Sequence, residues 1–564
     1  MKLTPQIRAS IEERCPAHRA QLEALVRHAA GDAVEFVQSV VQYGYLDRDT
    51  GGEVLATALG RTYVNLGKTL FQDEIVAKVP VDFAEKAKAL PLYKLGNAVT
   101  VAMVDPLDAK ALQGLEAFLG AAVSPVFSFP DEVESAILVK YRTAVDLTRM
   151  VTSFDFTPFK AQLTDARLAE LVQSKQLVEM GDSLILLALK ERASDIHIEP
   201  KKAELVVRFR IDGVLVDRMV FPAALGLPLA SRLKIAAAMD ITERRAPQDG
   251  RLRFHLPLQN IDIRVSTLPM LHGEKVVLRI LGTLFAGAML SLERLDIVPS
   301  VLTRLKEVIH QPNGILFVTG PTGSGKTTTL YAALNFINRP GINVVTIEDP
   351  IEYELASINQ VQINDKAGRT FHAVLRSVLR QDPDVILVGE IRDAETARIA
   401  TQAAMTGHLV LTTLHTNDAI QASTRLIDMG VERFMVAPSL IGVLNQRLVR
   451  RVCDVCRVEY RPDPEYLAQL FTWRRGYTPP PFFRGEGCER CGGTGYHGRL
   501  GIHEFLNITH RLRDALLQQA DYTALRAIAL AEGFHDMRFD GLKKALRGLT
   551  TIEEVVEATV ADPA

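Results

Sequence analysis

The spacing of apolar residues changes along the chain and separates three kinds of region. From Arg8 to about Lys140, short apolar segments predict short helices and a few strands, with turn signals at residues 47–52 and 104–106. Residues 166–192 predict a helix, and the segments after it alternate apolar and polar residues, which predicts strands. After Leu290, apolar strands alternate with helices, which is typical of a parallel sheet covered on both faces.

Length and composition indicate a multidomain globular protein. The chain has 564 residues, which is too long for one core and favours roughly three to five domains. Its 47% apolar and 23% charged residues leave no room for a long disordered region, and its formal net charge of -2 gives no general attraction to nucleic acid. No apolar run approaches the roughly 20 residues that cross a bilayer, and charged residues follow Pro5 where a signal peptide would be apolar. We therefore expect a cytoplasmic protein.

The strongest chemical signal is a glycine-rich loop between a predicted strand, Gly314–Thr319, and a predicted helix, Thr327–Ile337. Its predicted nucleotide-binding residues are Gly320, Pro321, Thr322, Gly323, Ser324, Gly325, Lys326, Thr327 and Thr328. In such a loop, backbone NH groups and the helix N-terminus bind phosphate, the lysine reaches the β- and γ-phosphates, and the threonine hydroxyl binds Mg²⁺. We therefore predict an ATP site with a catalytic Lys326 and with Thr327 as a magnesium ligand.

Two acidic residues at strand ends are candidates for activating water. Glu390 follows the apolar segment Val385–Gly389, and we predict that it orients and deprotonates the attacking water. Because Gly389 replaces the usual Walker B aspartate, we expect Glu390 to contact magnesium through water. Glu348 follows the apolar segment Val344–Ile347, so both carboxylates lie where ligands of open α/β sheets bind. Two alternative interpretations remain open. Glu390 could simply be a solvated strand end, and the acids around Glu348 could complement the dipole of a helix N-terminus.

Histidines and arginines supply weaker candidates. His408 and His415 flank another short strand, but a single histidine is more often a core residue than a catalytic one. Arginines can stabilise phosphate charge in a transition state, although an isolated arginine is usually a surface ion-pair partner. The candidates are Arg264, Arg279, Arg376, Arg380 and Arg392.

Four of the five cysteines form two Cys-x2-Cys pairs. Cys453 and Cys456 are separated by 31 residues from Cys488 and Cys491, and glycines surround the second pair. Four thiolates suit tetrahedral Zn²⁺ with no open position, so the predicted zinc site is structural. Four reduced, buried thiols are the alternative, and Cys15 is expected to be inert.

In their order, these motifs resemble the type II secretion and type IV pilus assembly ATPases. The resemblance extends from about Ala166 to the C-terminus, more loosely over residues 55–106, and rests on residues 193–200, 320–327, 348–350, 380–393 and 413–416. It implies catalytic roles for His408 and His415. It also identifies Arg264 and Arg279 as arginines of a second N-terminal domain that reach the nucleotide site in a hexameric ring.

The resemblance implies an α/β fold class with several parts. These are a RecA-like P-loop NTPase core, a PAS-like α+β second domain, an N-terminal α+β domain, a zinc-binding insertion and a helical C-terminal region. The predicted bounds are 1–143 for an N-terminal partner-docking domain, 144–165 for a linker, 166–290 for the arginine-donating domain, 291–450 for the ATPase core, 451–500 for the tetracysteine subdomain and 501–564 for the C-terminal helices.

The implied function is an ATPase, working as a homohexamer, that powers pseudopilus assembly and protein export in a type II secretion system. A type IV pilus extension ATPase is the alternative. A RecA-like nucleic-acid motor is more remote, because a net charge of -2 and 6% aromatic residues offer little for binding a nucleic acid.

The resemblance also bears on partners and ligands. Expected partners are further copies of the chain and, through the N-terminal domain, platform and linker proteins of the inner membrane. Some relatives bind a cyclic dinucleotide through a repeat that begins Arg-Leu-Gly. Glu35–Val37 stands at that place here, so we expect no such ligand.

Overall fold

The protein folds into two compact units, Met1–Phe285 and Ala286–Ala564. The computed structural model describes the chain except for residues 17–18, 44, 67–68, 70, 142–143, 160–164, 259, 282–290, 353, 356, 471–480 and 560–564. Parts of the predicted linker and of the predicted boundary at residue 290 therefore lie outside the described residues.

The first unit begins with four helices: α1 Pro5–Arg14, α2 Arg19–His28, α3 Ala33–Gln42 and α4 Arg48–Ala58. The turn predicted over residues 47–52 is wrong, because these residues form the start of α4. Asp47 caps the helix by accepting a hydrogen bond from the backbone NH of Thr50 at 2.9 Å. A Cβ at Gly52 would lie 2.5 Å from the Tyr63 ring, so glycine here allows close packing rather than a turn.

A small α+β layer follows, with α5 Asp73–Val76, α6 Val81–Ala87, β1 Ala89–Leu95, β2 Ala98–Met103, α7 Ala109–Leu119, β3 Ala122–Phe127 and α8 Pro130–Lys140. The central strand β2 pairs antiparallel with β1 and parallel with β3. Leu90, Val101 and Leu115 are fully buried in the core of this layer. The prediction of short helices and a few strands is correct here.

The remainder of the first unit is an antiparallel sheet of six strands with helices packed on its apolar face. Its elements are α9 Ala144–Thr152, α10 Asp165–Leu171, α11 Lys175–Lys190, β4 Ala193–Pro200, β5 Glu204–Ile211, β6 Val214–Pro222, α12 Gly226–Ala236, β7 Gln248–His255, β8 Asn260–Met270 and β9 Gly273–Leu281. The strand order is β6-β5-β4-β9-β8-β7.

Two details of this region differ from the sequence prediction. The helix predicted over residues 166–192 is divided, because α10 ends at Leu171 and α11 begins after Ser174. Residues 144–152, predicted as linker, form α9, whose Leu147 and Val151 are buried in one cluster with α11.

The second unit is built around a sheet of seven strands in the order β12-β11-β13-β14-β10-β15-β18. Its first elements are α13 Pro299–Ile309, β10 Gly314–Thr319, α14 Lys326–Ile337, β11 Val344–Glu348, β12 Asn359–Gln362, α15 Phe371–Val378, β13 Val385–Val388, α16 Ala394–Met405, β14 Leu409–Leu414, α17 Ala419–Asp428, α18 Arg433–Ser439 and β15 Leu440–Val452. These strands pair in parallel, and apolar clusters cover both faces of the sheet. The predicted parallel sheet and its four apolar strands are confirmed.

The C-terminal part adds β16 Arg457–Tyr460, α19 Pro464–Leu470, β17 Phe482–Gly485, β18 Tyr496–Asn507, α20 His510–Leu517, α21 Tyr522–Ala531, α22 Met537–Leu546 and α23 Ile552–Thr559. Strand β18 pairs antiparallel with nearly all of β15. Residues 501–507, predicted to begin the helical region, therefore belong to the sheet. Thr551 caps the last helix, since its Oγ1 accepts from the NH of Glu554 at 3.3 Å.

Candidate functional site

The phosphate loop joins β10 to α14 at the carboxyl edge of the parallel strands. Gly320, Gly323 and Gly325 have φ angles of 137°, 79° and 86°, a region that other residues rarely adopt. A Cβ at Gly320 would lie 2.3 Å from the backbone oxygen of Gln446, so no larger residue fits there. The loop leads into the first turn of α14, where free backbone NH groups and the helix dipole favour an anion.

Lys326 is the first residue of α14, and its ammonium lies within the loop. Its Nζ donates to the carbonyl oxygens of Gly320 at 2.8 Å and of Pro321 at 3.0 Å. Burial lowers the pKa of Lys326, and the Glu390 carboxylate acts in the opposite direction. Thr327 and Thr328 follow in the same turn and are half-buried. The structure thus brings the predicted lysine and hydroxyls to the place where phosphate and Mg²⁺ would bind.

Glu390 follows β13 and lies between two basic side chains. Arg392 donates through Nη2 to Oε1 of Glu390, and Nε2 of His415 lies 3.8 Å from Oε2. The side chain of Glu390 is 18% exposed, so water can reach it. Burial lowers the pKa of His415, and the positive charges of Lys326 and Arg392 lower it further, so His415 is mostly neutral near pH 7.

Glu348 ends the neighbouring strand β11, but its carboxylate is buried at 4% exposure. It accepts hydrogen bonds from the hydroxyl of Tyr331, from Thr346 Oγ1 at 2.6 Å and from Gln360 Nε2 at 3.1 Å. These donors hold Glu348 against α14. The more accessible Glu390 is therefore better placed to take a proton from water.

Two family models match the chain. One, described as a Type II/IV secretion system protein, matches residues 170–557, and another, described as an MshEN domain, matches residues 59–144. The chain belongs to the Type II/IV secretion system protein family. The resemblance predicted from the motifs is thereby confirmed, and with it the ATPase class of the core.

Curated relatives in this family carry both secretion and pilus names. The Type IV pilus assembly ATPase PilB of Thermus thermophilus is 41% identical over 93% of this chain, which spans 59% of the length of that relative. The Type II secretion system protein HxcR of Pseudomonas aeruginosa is 46% identical over 75% of the chain and 84% of its own length. The Type II secretion system protein E of Dickeya dadantii is 44% identical over 86% of the chain and 98% of its own length.

The fold agrees with a solved structure of an ATPase. The crystal structure of the Yersinia pseudotuberculosis ATPase DotB covers 68% of this chain and 93% of its own, with a TM-score of 0.50 at 20% identity. This likeness concerns the fold alone. In the part of the chain that the structure describes, no helix is both long and apolar enough to cross a membrane.

The two candidate histidines of this family member lie at opposite ends of β14. His415 follows the strand and lies beside Glu390, whereas His408 precedes it, and its carbonyl accepts from the NH of Gly314 at 3.1 Å. Because β14 runs parallel to β10, about 20 Å of strand separates His408 from the phosphate-loop edge. The chain does not bring His408 to its own phosphate loop, and a catalytic role for His408 stays a prediction.

Arg264 and Arg279 lie in the first unit, directly opposite each other on the paired strands β8 and β9. Arg279 donates through Nε to Asp195 Oδ1 at 2.8 Å, which fixes its guanidinium on the sheet. In the second unit, Arg376 is paired with Glu395 at 2.7 Å, and Arg380 donates to the carbonyl oxygen of Arg376 at 2.8 Å. Arg392 donates a hydrogen bond to Glu390.

The predicted tetracysteine cluster is assembled at the far ends of β15 and β18. The four sulfur atoms lie within 4.8 Å of one another, and the Sγ–Sγ distances include 3.7 Å for Cys453–Cys488, 3.9 Å for Cys456–Cys491 and 3.7 Å for Cys488–Cys491. A tetrahedron with Zn–S bonds of about 2.3 Å has edges of about 3.8 Å, so the spacing fits zinc.

The electrostatics around one sulfur also suit a metal thiolate. The backbone NH groups of Cys488 and Gly495 donate to Sγ of Cys491 at 3.1 Å and 3.2 Å. Against the effect of burial, these bonds and those from the Cys488 and Cys456 side chains lower the pKa of Cys491 to about 6. The donor set can therefore hold Zn²⁺ with all four positions filled by protein.

Sequence analysis missed two buried residues that contact the site. Tyr331 donates to Glu348, and Gln446 donates through Nε2 to the carbonyl oxygen of Ser324 at 2.6 Å. The pair Asn445-Gln446 interrupts an apolar run, which is a signal of buried amides with specific partners. Nothing in the local sequence distinguishes Tyr331 from an ordinary core aromatic.

Proposed function

We propose that this protein hydrolyses ATP to power pseudopilus assembly and protein export in a type II secretion system. The observation that carries the proposal is the arrangement of Lys326 in the phosphate loop with Glu390 at a nearby strand end. Glu390 influences the pKa of Lys326, and it is accessible enough to meet water. Membership of the family supports the motor assignment, as do two relatives named for secretion that are matched over 84% and 98% of their own lengths.

Each site residue has a separate role in ATP hydrolysis. The loop NH groups and Lys326 bind the phosphates, while Thr327 supplies a hydroxyl ligand for Mg²⁺, which would neutralise charge on the phosphates. Glu390 orients a water molecule and takes its proton as the water oxygen attacks the γ-phosphorus and the bond to the β-phosphate oxygen breaks. Arg392 holds the Glu390 carboxylate by its Nη2 hydrogen bond, and Glu348 stays fixed beside α14.

Several finer features belong to the same proposal. The protein acts as a homohexamer, in which Arg264 and Arg279 supply positive charge to a nucleotide, and residues 1–143 dock on inner-membrane partners from the cytoplasmic side. The four cysteines bind one structural Zn²⁺. The absence of a cyclic-dinucleotide ligand stays a prediction.

A pilus-extension motor is the second candidate. It is favoured by the relative named a type IV pilus assembly ATPase, which matches 93% of the chain. Deleting the gene in its host separates the two functions. Loss of exported proteins from the medium with normal pili supports secretion, whereas loss of pili with normal export supports the second candidate.

The motor mechanism is tested by measuring ATP hydrolysis in fractions separated by size. We expect turnover in a hexamer-sized fraction and little in monomer. Arg279→Ala should reduce turnover by about a hundredfold without changing ATP affinity, since it removes charge stabilisation in the transition state. Arg253→Ala is the control, because Arg253 is an exposed arginine of the same sheet paired with Asp262 at 3.0 Å. Full turnover by monomer, or equal effects of the two substitutions, would contradict the shared-site mechanism.

A further inference from the structure

Gln446 lies beneath the phosphate loop and is 2% exposed. Both ends of its side-chain amide are engaged. Its Nε2 donates to the carbonyl oxygen of Ser324 at 2.6 Å, and its Oε1 accepts from Thr329 Oγ1 at 2.8 Å. The amide therefore connects the last turn of the loop to the first turns of α14.

The backbone of Gln446 approaches the other end of the loop. Its carbonyl oxygen would lie 2.3 Å from a Cβ placed on Gly320, where the loop begins. One residue of β15 thus contacts the loop at its start, through its backbone, and at its end, through its side chain.

The neighbouring residue fixes β15 in place from the opposite face of the sheet. Asn445 accepts from Thr319 Oγ1 at 3.2 Å and donates to Glu504 at 2.9 Å. The Glu504 carboxylate also accepts from the NH groups of Ala419 and Met537, which begin α17 and α22. Because these bonds hold Asn445 in place, they also fix the position of the neighbouring Gln446 amide relative to the loop.

We propose that Gln446 is a positioning residue that holds the phosphate loop in its anion-binding form. In a trans peptide the carbonyl and the following NH point in opposite directions. By binding the Ser324 oxygen on the β15 side, Gln446 turns the Gly325 NH away from β15 and toward the interior of the loop. The proposal rests on the proposed function, since it concerns the same ATP site.

The proposal predicts an effect on nucleotide affinity rather than on the chemical step. Glu390 follows β13, which is separated from β15 by β14 and β10. Loosening the loop should therefore weaken ATP binding and raise KM, while kcat at saturating ATP changes little. A residue that served only the stability of the core would lower the unfolding temperature and leave ATP affinity unchanged.

The test uses the full chain and a pair of substitutions at Thr329. Thr329→Val removes the hydroxyl that fixes the Gln446 amide at nearly constant volume, and we expect ATP affinity to fall about five- to tenfold. Thr329→Ser keeps the hydroxyl and should restore affinity to within about twofold. Gln446→Leu should weaken binding more, and adding Thr329→Val to it should cause almost no further loss, because both substitutions break the same bridge.

Thr401 provides the matched control. Its buried hydroxyl donates to the Ala397 carbonyl of its own helix, α16, at 2.8 Å rather than to the phosphate loop. Thr401→Val and Thr401→Ser should alter the unfolding temperature at most and leave the Kd and KM for ATP at wild-type values.

The outcomes separate this inference from the proposed function. A wild-type chain that neither binds nor hydrolyses ATP overturns the proposed function itself. A wild-type chain that binds ATP, with a Thr329→Val variant that folds and keeps wild-type Kd and KM, overturns the role of Gln446. If the loss of ATP affinity in the double variant equals the product of the two single losses, the Thr329–Gln446 bridge would be overturned as well. If Gln446→Leu fails to fold, the Thr329→Val and Thr329→Ser variants still test the role of Gln446.

Discussion

The hydroxyl of Tyr331 donates a hydrogen bond to Oε2 of Glu348, and this bond joins the phosphate-loop helix to the end of strand β11. Tyr331 is one turn along α14 from Thr327, and both members of the bond are buried. A shift of α14 on binding phosphate would therefore directly alter the hydrogen bond to the Glu348 carboxylate. The same helix contacts Gln446 through Thr329 on the opposite side. Helix α14 thus connects the loop to strands β11 and β15.

Tyr331→Phe should lower both stability and turnover. The substitution leaves a buried carboxylate with one donor fewer, which costs about 2 kcal/mol of folding free energy for a bond to a charged group. We expect kcat to fall about tenfold, measured by steady-state ATP hydrolysis. Tyr141→Phe is the control, because the Tyr141 hydroxyl is buried and makes no hydrogen bond among the described residues. An equal loss of stability in both variants would mean that the Tyr331–Glu348 bond contributes nothing.

Gly320→Ala should abolish nucleotide binding. The added methyl group would meet the Gln446 carbonyl oxygen at 2.3 Å, and the φ of 137° is unfavourable for alanine. We expect ATP affinity to fall at least about a hundredfold, measured by calorimetry. Gly341→Ala is the control, since Gly341 also has a positive φ, 93°, but its Cβ would meet no atom within 4 Å. Normal ATP affinity in Gly320→Ala would refute the tight-loop geometry.

Cys488→Ser should reduce bound zinc from one ion per chain to near zero, measured by elemental analysis of purified protein. Three thiolates and a hydroxyl hold Zn²⁺ much more weakly than four thiolates do. The unfolding temperature should also fall, because metal binding to the folded state contributes to stability. Cys15→Ser should leave the zinc content unchanged, since Cys15 belongs to the other compact unit and is not one of the four clustered thiols. A metal-free wild-type chain with full stability would support four reduced thiols instead.

Acid should destabilise the second unit through His503. Burial lowers the pKa of His503 well below its usual range, and the charge of Lys544, whose Nζ lies 3.5 Å from Nδ1, lowers it further. The folded state therefore binds fewer protons than the unfolded one. The stabilisation is complete above about pH 6.5 and falls as pH decreases, by up to about 1.4 kcal/mol per pH unit.

The measurement for His503 is the unfolding temperature between pH 8 and pH 5. The transition to follow is the one whose midpoint temperature increases when ADP is added, because that transition reports the second unit. His503→Asn should give a flatter pH profile than wild type, because the titrating group is removed. His255→Asn, at an exposed histidine, should keep the wild-type slope. Identical slopes in all three proteins would show that His503 does not carry the acid sensitivity.

The local sequence was sufficient to predict the local structures that depend on short motifs. The spacing of the glycines around Lys326 is typical of a phosphate loop. The spacing of the cysteine pairs is typical of a metal site. The apolar runs before Glu348 and Glu390 predicted the strands that carry them. Parallel pairing then places both residues at one edge of the sheet.

Contacts between distant segments could not be predicted from the sequence. The roles of Gln446 and Tyr331 depend on which strand lies beside β10 and on how α14 is turned toward β11. The family resemblance gave His408 and His415 the same role, yet the extended strand between them separates the two residues. The turn predicted at Gly51-Gly52 failed because the preference of glycine for turns gave way to close packing against Tyr63.

The most direct test of the account is ATP turnover by Glu390→Gln, compared with Glu395→Gln, with ATP binding measured on both. Glu395 is a nearby acid on α16 that is paired with Arg376 and lies outside the phosphate site. The account predicts that Glu390→Gln binds ATP within about threefold of wild type but turns it over at least about a hundredfold more slowly, while Glu395→Gln retains turnover. Wild-type turnover by Glu390→Gln would contradict the proposed role of Glu390 and the mechanism built on it.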